Sequence, residues 1–226
     1  AAINFIAMFA TLFFLKESLD DSSKKPFEGL SKIINLETFK PSKIILPLTV
    51  CGLIFYISMA IMESIFPLWA NDIFLYGPSK IGAVFFMLGL IAVIIQGGLI
   101  GPLTELLGEK KLVQLAALSL ILGLGLIGSA TDTIVLWIGL LFFGCGTSMF
   151  NPSLSSMISK SAQKHERGKY LGQYQSACSL GRIIGPSMSG VIYSNFFPAA
   201  PFYLGLIIAI PVIVLITKFT LRKTVM

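Results

Sequence analysis

The chain has 226 residues, of which 55% are hydrophobic and 12% are charged, and its mean hydropathy is +0.85. A soluble domain with a single core would not show this composition, so the lipid bilayer is the expected solvent. The formal net charge of +6 does not indicate a nucleic-acid partner, because the basic residues fall in short polar segments between apolar tracts.

Residues 1–15 are apolar, with no charged flank before them. A signal peptide would open with a basic stretch and end at a small-residue cleavage site, and neither is present. We therefore expect this segment to be the end of a membrane helix. Residues 16–43 are polar and predict a cytoplasmic linker. The apolar residues late in the linker suit an amphipathic helix on the membrane surface, and an ordinary loop is the alternative.

The rest of the chain reads as a succession of membrane spans, because about 20 apolar residues are needed to cross the hydrocarbon layer. The apolar tract at 170–217 is too long for one crossing, and Asn195, Pro198 and Pro201 favour a turn inside it. The prediction is an all-α polytopic membrane protein with spans at about 44–70, 81–104, 112–131, 133–157, 170–195 and 202–219, followed by a tail at 220–226.

The basic residues predict the orientation of these spans. All but two of the 17 lysines and arginines lie in alternate polar segments, the exceptions being Lys80 and Arg182. By the positive-inside rule these segments and the C-terminus are expected on the cytoplasmic side.

Residues that could support an enzyme are scarce. Cys51, Cys145 and Cys178 lie in apolar tracts without metal-ligand spacing, and the single histidine, His165, lies in a basic loop. Paired carboxylates, a nucleophile elbow and a phosphate-binding glycine loop are all missing from the sequence. We therefore expect neither an enzyme nor a cofactor or metal site.

The polar segment between the second and third predicted spans has the sequence GPLTELLGEKK at 101–111. It follows the pattern G-x-L-x-[DE]-x-x-G-x-[KR]-[KR], which suits a tight cytoplasmic turn, because glycine permits the turn and lysine holds it inside. The motif residues are Gly101, Leu103, Glu105, Gly108, Lys110 and Lys111. A generic turn whose charges only set the topology is the alternative.

A second pattern, G-x-x-x-G-P-x-x-x-G, lies in the fifth predicted span. Gly181, Gly185 and Ser189 recur every four residues and predict a smooth helix face for close helix packing. Pro186 removes a backbone hydrogen bond and permits a bend, and Gly190 completes the pattern.

These two motifs resemble those of the major facilitator superfamily: the loop signature between helices 8 and 9, and the glycine-proline signature of its drug exporters. Leu106 departs from the first, since the family usually has a basic residue there. The resemblance implies that this chain is the C-terminal half, with helices 7–12 and the end of helix 6, and that an N-terminal six-helix half completes the protein. It is similar to the tetracycline and multidrug exporter branch.

What the resemblance implies about function is secondary transport, with proton-coupled export of amphipathic compounds favoured. Uptake of a sugar, an organic acid or another nutrient by the same fold is one alternative. A membrane sensor or scaffold that has lost transport is another. The implied partners are a small-molecule substrate, protons and the lipid bilayer, and the compact loops suit a bacterial inner membrane.

Two ionisable residues lie inside predicted spans, where a charge costs on the order of 2.5 to 3.5 kcal/mol. Arg182 is expected to face the bundle interior as an anion partner, or merely to tie helices together. Glu63 shares a helix face with Tyr56 and Pro67 and is a candidate proton or cation site, unless it lies near the outer interface.

Two other polar residues are weaker candidates for contact with a transported solute. Gln96 and Gln175 could donate hydrogen bonds to a solute or could serve as interhelical contacts.

Overall fold

The computed structural model describes residues 9, 11, 13 and 45–221, with side chains described as far as residue 218. The chain divides into two units, residues 1–40 and 41–226. In the first unit Phe9, Thr11 and Phe13 are helical, and the rings of Phe9 and Phe13 stack with centroids 6.1 Å apart. The predicted linker at 16–43 and most of the predicted tail lie outside the described residues.

The described part of the second unit, residues 45–221, consists of helices joined by short turns. Its helices are α1, Ile45–Phe74; α2, Pro78–Ile94, which runs through a π-helical turn at Ile95–Leu99 into α3, Ile100–Gly128; α4, Thr133–Ser161; α5, Arg167–Asn195; and α6, Ala200–Leu221. No strand is present within 45–221.

Four continuous helical stretches of the described chain are long and apolar enough to cross a membrane: Ile45–Phe74, Pro78–Gly128, Thr133–Ser161 and Ala200–Lys218. The second has 51 residues, more than twice what one crossing needs, and it turns back at Gly108 to give two crossings. Helix α5 is less apolar than these four, because glycine, serine, glutamine and arginine occupy one side of it.

Local sequence explains where the helices begin and turn. Pro78 begins α2, where its missing N–H would have had no partner in any case. Asp132 caps α4, because its side-chain oxygen accepts hydrogen bonds from the backbone N–H groups of Ile134 and Val135 at 2.8 and 3.0 Å. Gly108 has φ 77° and ψ 153°, a conformation that few other residues adopt at low cost.

The turn at Gly108 is narrower than the sequence pattern suggests. The spans predicted at 81–104 and 112–131 leave a connecting loop of several residues, whereas helical structure extends over Ile100–Gly128 with non-helical dihedrals at Gly108 alone. Leu103, Leu106 and Leu107 favour helix, so the glycine alone reverses the chain.

The helices pack around a core of aliphatic and aromatic side chains. Helix α1 packs against both α5 and α6, α6 packs in turn against α3, and α3 forms a long interface with α4. Helix α2 lies at the margin of the bundle and packs mainly on α4, with Val84 its one fully buried residue. The order of packing is therefore α5, α1, α6, α3, α4 and α2.

Glycines set the distance between the main helix pairs. A methyl group at Gly185 would lie 2.8 Å from the backbone oxygen of Ile57 on α1, and one at Gly181 would lie 2.9 Å from that of Leu53. Between α3 and α4, a methyl group at Gly146 would lie 2.7 Å from the backbone oxygen of Ala116. Since backbone cannot move aside as a side chain can, these glycines allow the helices to touch.

We expect Gly185→Ala to destabilise the protein by roughly 1 to 3 kcal/mol, because the added methyl group forces α1 and α5 apart. The measurement is the thermal unfolding midpoint of the purified protein in detergent. Gly168→Ala on the same helix is the matched control, because a methyl group there would meet no atom within 4 Å. Equal midpoints for the two variants would contradict the close packing of α1 on α5.

Candidate functional site

Helix α5 has two different faces. Its buried residues, Tyr170, Tyr174, Cys178, Gly181, Gly185 and Ser189, follow one another at helical spacing and pack towards α1. The opposite face is exposed and carries mainly small and polar residues, with the apolar Ile183 exposed among them; the others are Gly172, Gln175, Ser176, Ser179, Arg182, Pro186, Ser187 and Gly190. In a membrane protein, a helix face this polar does not suit contact with lipid.

Arg182 lies over the ring of Tyr56, with its guanidinium carbon 4.8 Å from the ring centroid. The tyrosine is buried in the α1 side of the interface, while the arginine is exposed. The attraction between guanidinium and ring stabilises the charge without neutralising it. Arg182 forms no ion pair with any described residue, and the polar side chains within electrostatic range of its guanidinium group are those of Tyr56, Cys178 and Glu63.

Glu63 lies on α1, seven residues or about 10 Å along the helix axis from Tyr56. Its side chain is exposed, and its charge is within electrostatic range of Arg182 although the two groups do not touch. The structure therefore brings Tyr56 and Arg182 together and places Glu63 about two helical turns further along α1.

Prolines add backbone acceptors beside both charged residues. Pro67 lies four residues after Glu63 in α1, and Pro186 lies four residues after Arg182 in α5. A proline has no N–H, so the carbonyl groups of Glu63 and Arg182 cannot accept the usual helical hydrogen bond. No described side chain donates to either carbonyl.

Gln96 has a structural partner. It lies in the π-helical turn after α2, and its Nε2 donates a hydrogen bond to the carbonyl oxygen of Ser148 on α4 at 3.3 Å. That carbonyl is the one left without a helical donor by Pro152. Gln96 thus links α2 to α4 and lies away from the Arg182 face of α5. Its hydrogen bond fits an interhelical contact better than binding of a solute.

Gln175 shares the exposed face of α5 with Arg182, two turns nearer the start of the helix. Ser179 lies between them and donates a hydrogen bond to the carbonyl oxygen of Gln175 at 3.0 Å. The amide of Gln175 makes no hydrogen bond within the described chain. Gln175, Ser179 and Arg182 therefore form one polar stripe.

Hydrogen bonds across the α1–α5 interface were not expected from the sequence. The hydroxyls of Ser64 and Ser189 are 2.8 Å apart, and the Tyr193 hydroxyl donates to the carboxylate of Asp72 near the ends of the two helices. Ser189 was recognised only as a small residue, and neither Asp72 nor Tyr193 belongs to a motif. Such hydrogen-bonded pairs cannot be predicted from the sequence without knowing which helices are in contact.

At the opposite end of the bundle, Asn151 on α4 accepts a hydrogen bond from the Tyr174 hydroxyl of α5 at 2.8 Å. The Tyr174 ring is buried against Gly52, which leaves room for it on α1. Near this contact the rings of Phe55 and Phe150 stack with centroids 3.5 Å apart. Helices α1, α4 and α5 are therefore joined by aromatic side chains at this level.

The GPLTELLGEKK motif contains a contact that its pattern did not predict. Glu109, at an unspecified position of the pattern, accepts hydrogen bonds from Lys160 and from Ser156, the latter at 3.1 Å, in the last turns of α4. Glu105 and Lys111 are exposed, Lys110 is half-buried, and a methyl group at Gly101 would meet no atom within 4 Å. Glu109, rather than Glu105, ties the turn to the bundle.

These features define a class of protein: a polytopic α-helical membrane protein with large exposed apolar side chains on its helices and with a largely polar exposed face on α5 that carries Arg182. That is the architecture of a solute transporter rather than of an enzyme. The chain belongs to the Major Facilitator Superfamily, because the model of that family matches residues 1–186 and 48–225.

Known proteins of this family resemble the chain at low identity. It is 28% identical to multidrug resistance protein 2 of Bacillus subtilis over 200 residues, which cover 85% of this chain and 49% of that protein. It is also 28% identical to the class E tetracycline resistance protein of Escherichia coli over 197 residues, with 86% and 48% covered. The chain thus spans about half the length of these relatives.

A solved structure shows the same fold. The human organic anion transporter MFSD10 (TETRAN) superposes with a TM-score of 0.70 at 24% identity, covering 76% of this chain and 40% of that one. At this identity the similarity concerns the fold alone.

The contact between Glu109 and Lys160 is expected to make the stability of the protein depend on pH. The hydrogen bond from Lys160, with a smaller one from Ser156, lowers the pKa of Glu109 below its ordinary value of 4.5. Because the pKa of Glu109 is lower in the folded than in the unfolded protein, the interaction stabilises the fold fully at a pH above the unfolded-state pKa. This stabilisation is lost as the pH falls through the pKa of the folded protein. We expect Glu109→Gln to lower the unfolding midpoint at pH 7 by an amount corresponding to about 1 kcal/mol or less.

The measurement is the midpoint of wild type and variant from pH 7 down to pH 3, over which the difference should shrink as Glu109 becomes protonated. Glu105→Gln is the matched control, since the exposed Glu105 makes no hydrogen bond or ion pair in the described structure and its removal should leave the midpoint unchanged. A difference for Glu109→Gln that stays constant from pH 7 to pH 3 would show that the ion pair is not its cause.

Proposed function

We propose that the complete protein is a secondary active transporter that exports amphipathic small molecules in exchange for protons, and that this chain is its C-terminal six-helix half. The observation that carries the proposal is the exposed, largely polar face of α5, on which Arg182 has no ion-pair partner in the described chain, with Glu63 on the adjacent helix.

The energetics of the stripe favour a water-filled cavity. An arginine at the centre of a lipid-facing helix costs on the order of 2.5 to 3.5 kcal/mol, and an unpaired acid adds to that cost. Gly172, Ser176, Ser179 and Ser187 would gain nothing from contact with lipid, whereas small polar residues suit a surface that faces water or another helix bundle. The stripe is thus best placed at the centre of a larger transporter.

A second six-helix bundle would supply the opposite wall of this cavity. The chain spans about half the length of the relatives it matches, so there is room for such a bundle in the complete protein. Rocking of the two bundles around a site near the bilayer midplane would give access to each side of the membrane in turn. The Gly108 turn and the C-terminus would lie on the cytoplasmic side, as the distribution of basic residues predicts.

The two charged residues have separate roles in this mechanism. Glu63 takes up a proton from one side and releases it to the other, since an exposed carboxyl group in a cavity can exchange protons with water. Arg182 binds an anionic or hydrogen-bond-accepting group of the substrate, or stabilises a deprotonated carboxylate nearby. The Tyr56 ring contacts the guanidinium group and stabilises its positive charge.

The names of the relatives support export of drug-like compounds, since one is a multidrug resistance protein and another a tetracycline resistance protein. Both are bacterial, which agrees with a bacterial inner membrane as the location. Nutrient uptake by the same fold would use the same cavity with the opposite direction of net transport, and a sensor would keep the cavity without turnover.

The test is uphill export of a fluorescent cationic dye from cells that express the complete protein, with and without an uncoupler. Proton-driven export requires low dye content that rises when the proton gradient is collapsed. Dye content equal to that of empty cells would leave the membership of the family intact and favour uptake or a non-transporting role.

Glu63→Gln should abolish proton-driven dye export while leaving energy-independent dye exchange in membrane vesicles at a measurable rate, because glutamine keeps the shape but cannot carry a proton. Glu166→Gln, in the polar segment before α5, is the matched control and should export dye like the wild type. Intact coupled export by Glu63→Gln would exclude this residue as the proton carrier.

A further inference from the structure

A groove of about 530 Å³ lies on the outer surface of the bundle between α3 and α6, near the Gly108 turn. Its walls are mainly apolar, and its lining residues are Leu107, Lys111, Gln114, Leu115, Leu118 and Ile213. The groove is separate from the Arg182 face, because α3 does not pack on α5 in the described bundle.

The groove owes its shape to the way these two helices meet. Leu206 on α6 packs beside Gly125 on α3, and further towards the Gly108 turn Gln114 Nε2 donates a hydrogen bond to Thr217 Oγ1 at 2.9 Å. The hydrogen bond bridges the two helices at the groove. Leu115 and Leu118 remain exposed along its α3 wall, although their side chains are large and apolar.

One end of the groove is basic. Lys111 lines it and is exposed, and it makes no ion pair or hydrogen bond with any described residue. Lys218, in the last turn of α6, adds a second exposed cation one residue after Thr217. The acids of this region do not compensate these charges, since Glu109 is bound to Lys160 on α4 and Glu105 does not line the groove.

We propose that this groove binds one anionic phospholipid from the membrane leaflet at the Gly108 end. The acyl chain lies along Leu115, Leu118 and Ile213, and the headgroup phosphate binds Lys111, with Lys218 nearby. The apolar walls of the groove do not suit a free phosphate ion, and the exposed Lys111 at one end does not suit a hydrocarbon alone. A phospholipid with a net negative headgroup satisfies both, and basic pockets between membrane helices bind such lipids.

The position of Lys111 fits the depth of a headgroup. It lies three residues after the Gly108 turn, where the chain leaves the bilayer according to the predicted spans, and its long stem can extend so that the ammonium group reaches the interface. The hydrogen bond between Gln114 and Thr217 lies one turn deeper and gives the glycerol ester groups a polar neighbour.

The experiment is native mass spectrometry of the purified complete protein, titrated with phosphatidylglycerol or with phosphatidylcholine of the same acyl chains. We expect tighter binding of one phosphatidylglycerol molecule than of phosphatidylcholine. Lys111→Gln should weaken the phosphatidylglycerol adduct about fivefold, the factor that one lysine at an anionic surface contributes, and should leave the phosphatidylcholine adducts unchanged. Leu118→Trp, which fills the groove, should reduce retention of phosphatidylglycerol without removing any charge.

Lys169→Gln is the matched control, because it removes the same charge near the same end of the bundle from α5, away from the groove. Its phosphatidylglycerol binding should equal that of the wild type. Equal weakening by Lys111→Gln and Lys169→Gln, or equal affinity of the wild type for the two lipids, would overturn the proposal. Dye export need not respond to these variants, so the outcome is independent of the proposed transport function.

Discussion

The contact between α1 and α5 positions the whole candidate site. Gly181 and Gly185 carry no side chain, so the backbone of α5 comes within van der Waals distance of the backbone of α1. Arg182 follows Gly181 directly, and the close approach brings its guanidinium group over the ring of Tyr56. If larger residues stood at the glycine positions, the ring and the cation would separate, and Arg182 would lose the one described contact that stabilises its charge. Packing and chemistry are therefore linked through the same turn of helix.

Proline has two different consequences in this bundle. At Pro152 the freed carbonyl of Ser148 accepts a hydrogen bond from Gln96, so the break is repaired by a neighbouring helix. At Pro67 and Pro186 the freed carbonyls belong to Glu63 and Arg182, and no described side chain repairs them. Carbonyl groups without a helical donor and charged side chains thus occur at the same positions. Inside a membrane this combination is tolerated where the surface meets water or a second helix bundle.

The two ends of the bundle are held by different polar contacts. At one end Asp72 and Tyr193 join α1 to α5, and at the other Glu109 and Lys160 join the Gly108 turn to α4. These contacts couple helices that move together in the proposed mechanism, and they leave the polar face of α5 free. In that mechanism two bundles rock around a site between them, and an open polar face on this bundle is compatible with such a site.

Much of this arrangement could be predicted from the sequence, because its determinants are local. The helical membrane fold follows from long apolar runs, and the family follows from GPLTELLGEKK and the glycine-proline pattern. The pairing of Gly181 with Leu53, of Tyr56 with Arg182 and of Gln96 with Ser148 could not be predicted, since periodicity shows which residues share a face but not which helix covers it. The groove beside Lys111 was missed for the same reason, because its two walls are about a hundred residues apart in the chain.

Exposure of the Arg182 face of α5 to water is the property that a transport cavity requires most directly. Single cysteines at Ser179, Ser189 and Leu122 would test this in the complete protein with Cys51, Cys145 and Cys178 replaced by alanine, using a membrane-impermeant thiol reagent. Ser179 lies on the polar stripe, Ser189 is buried against α1, and Leu122 is exposed on the apolar surface of α3. The account predicts rapid labelling of Ser179→Cys, slowed by a transported dye, and little labelling of the other two. Labelling of Ser179→Cys as slow as that of Leu122→Cys would show that the face is closed to water and would contradict the proposed cavity.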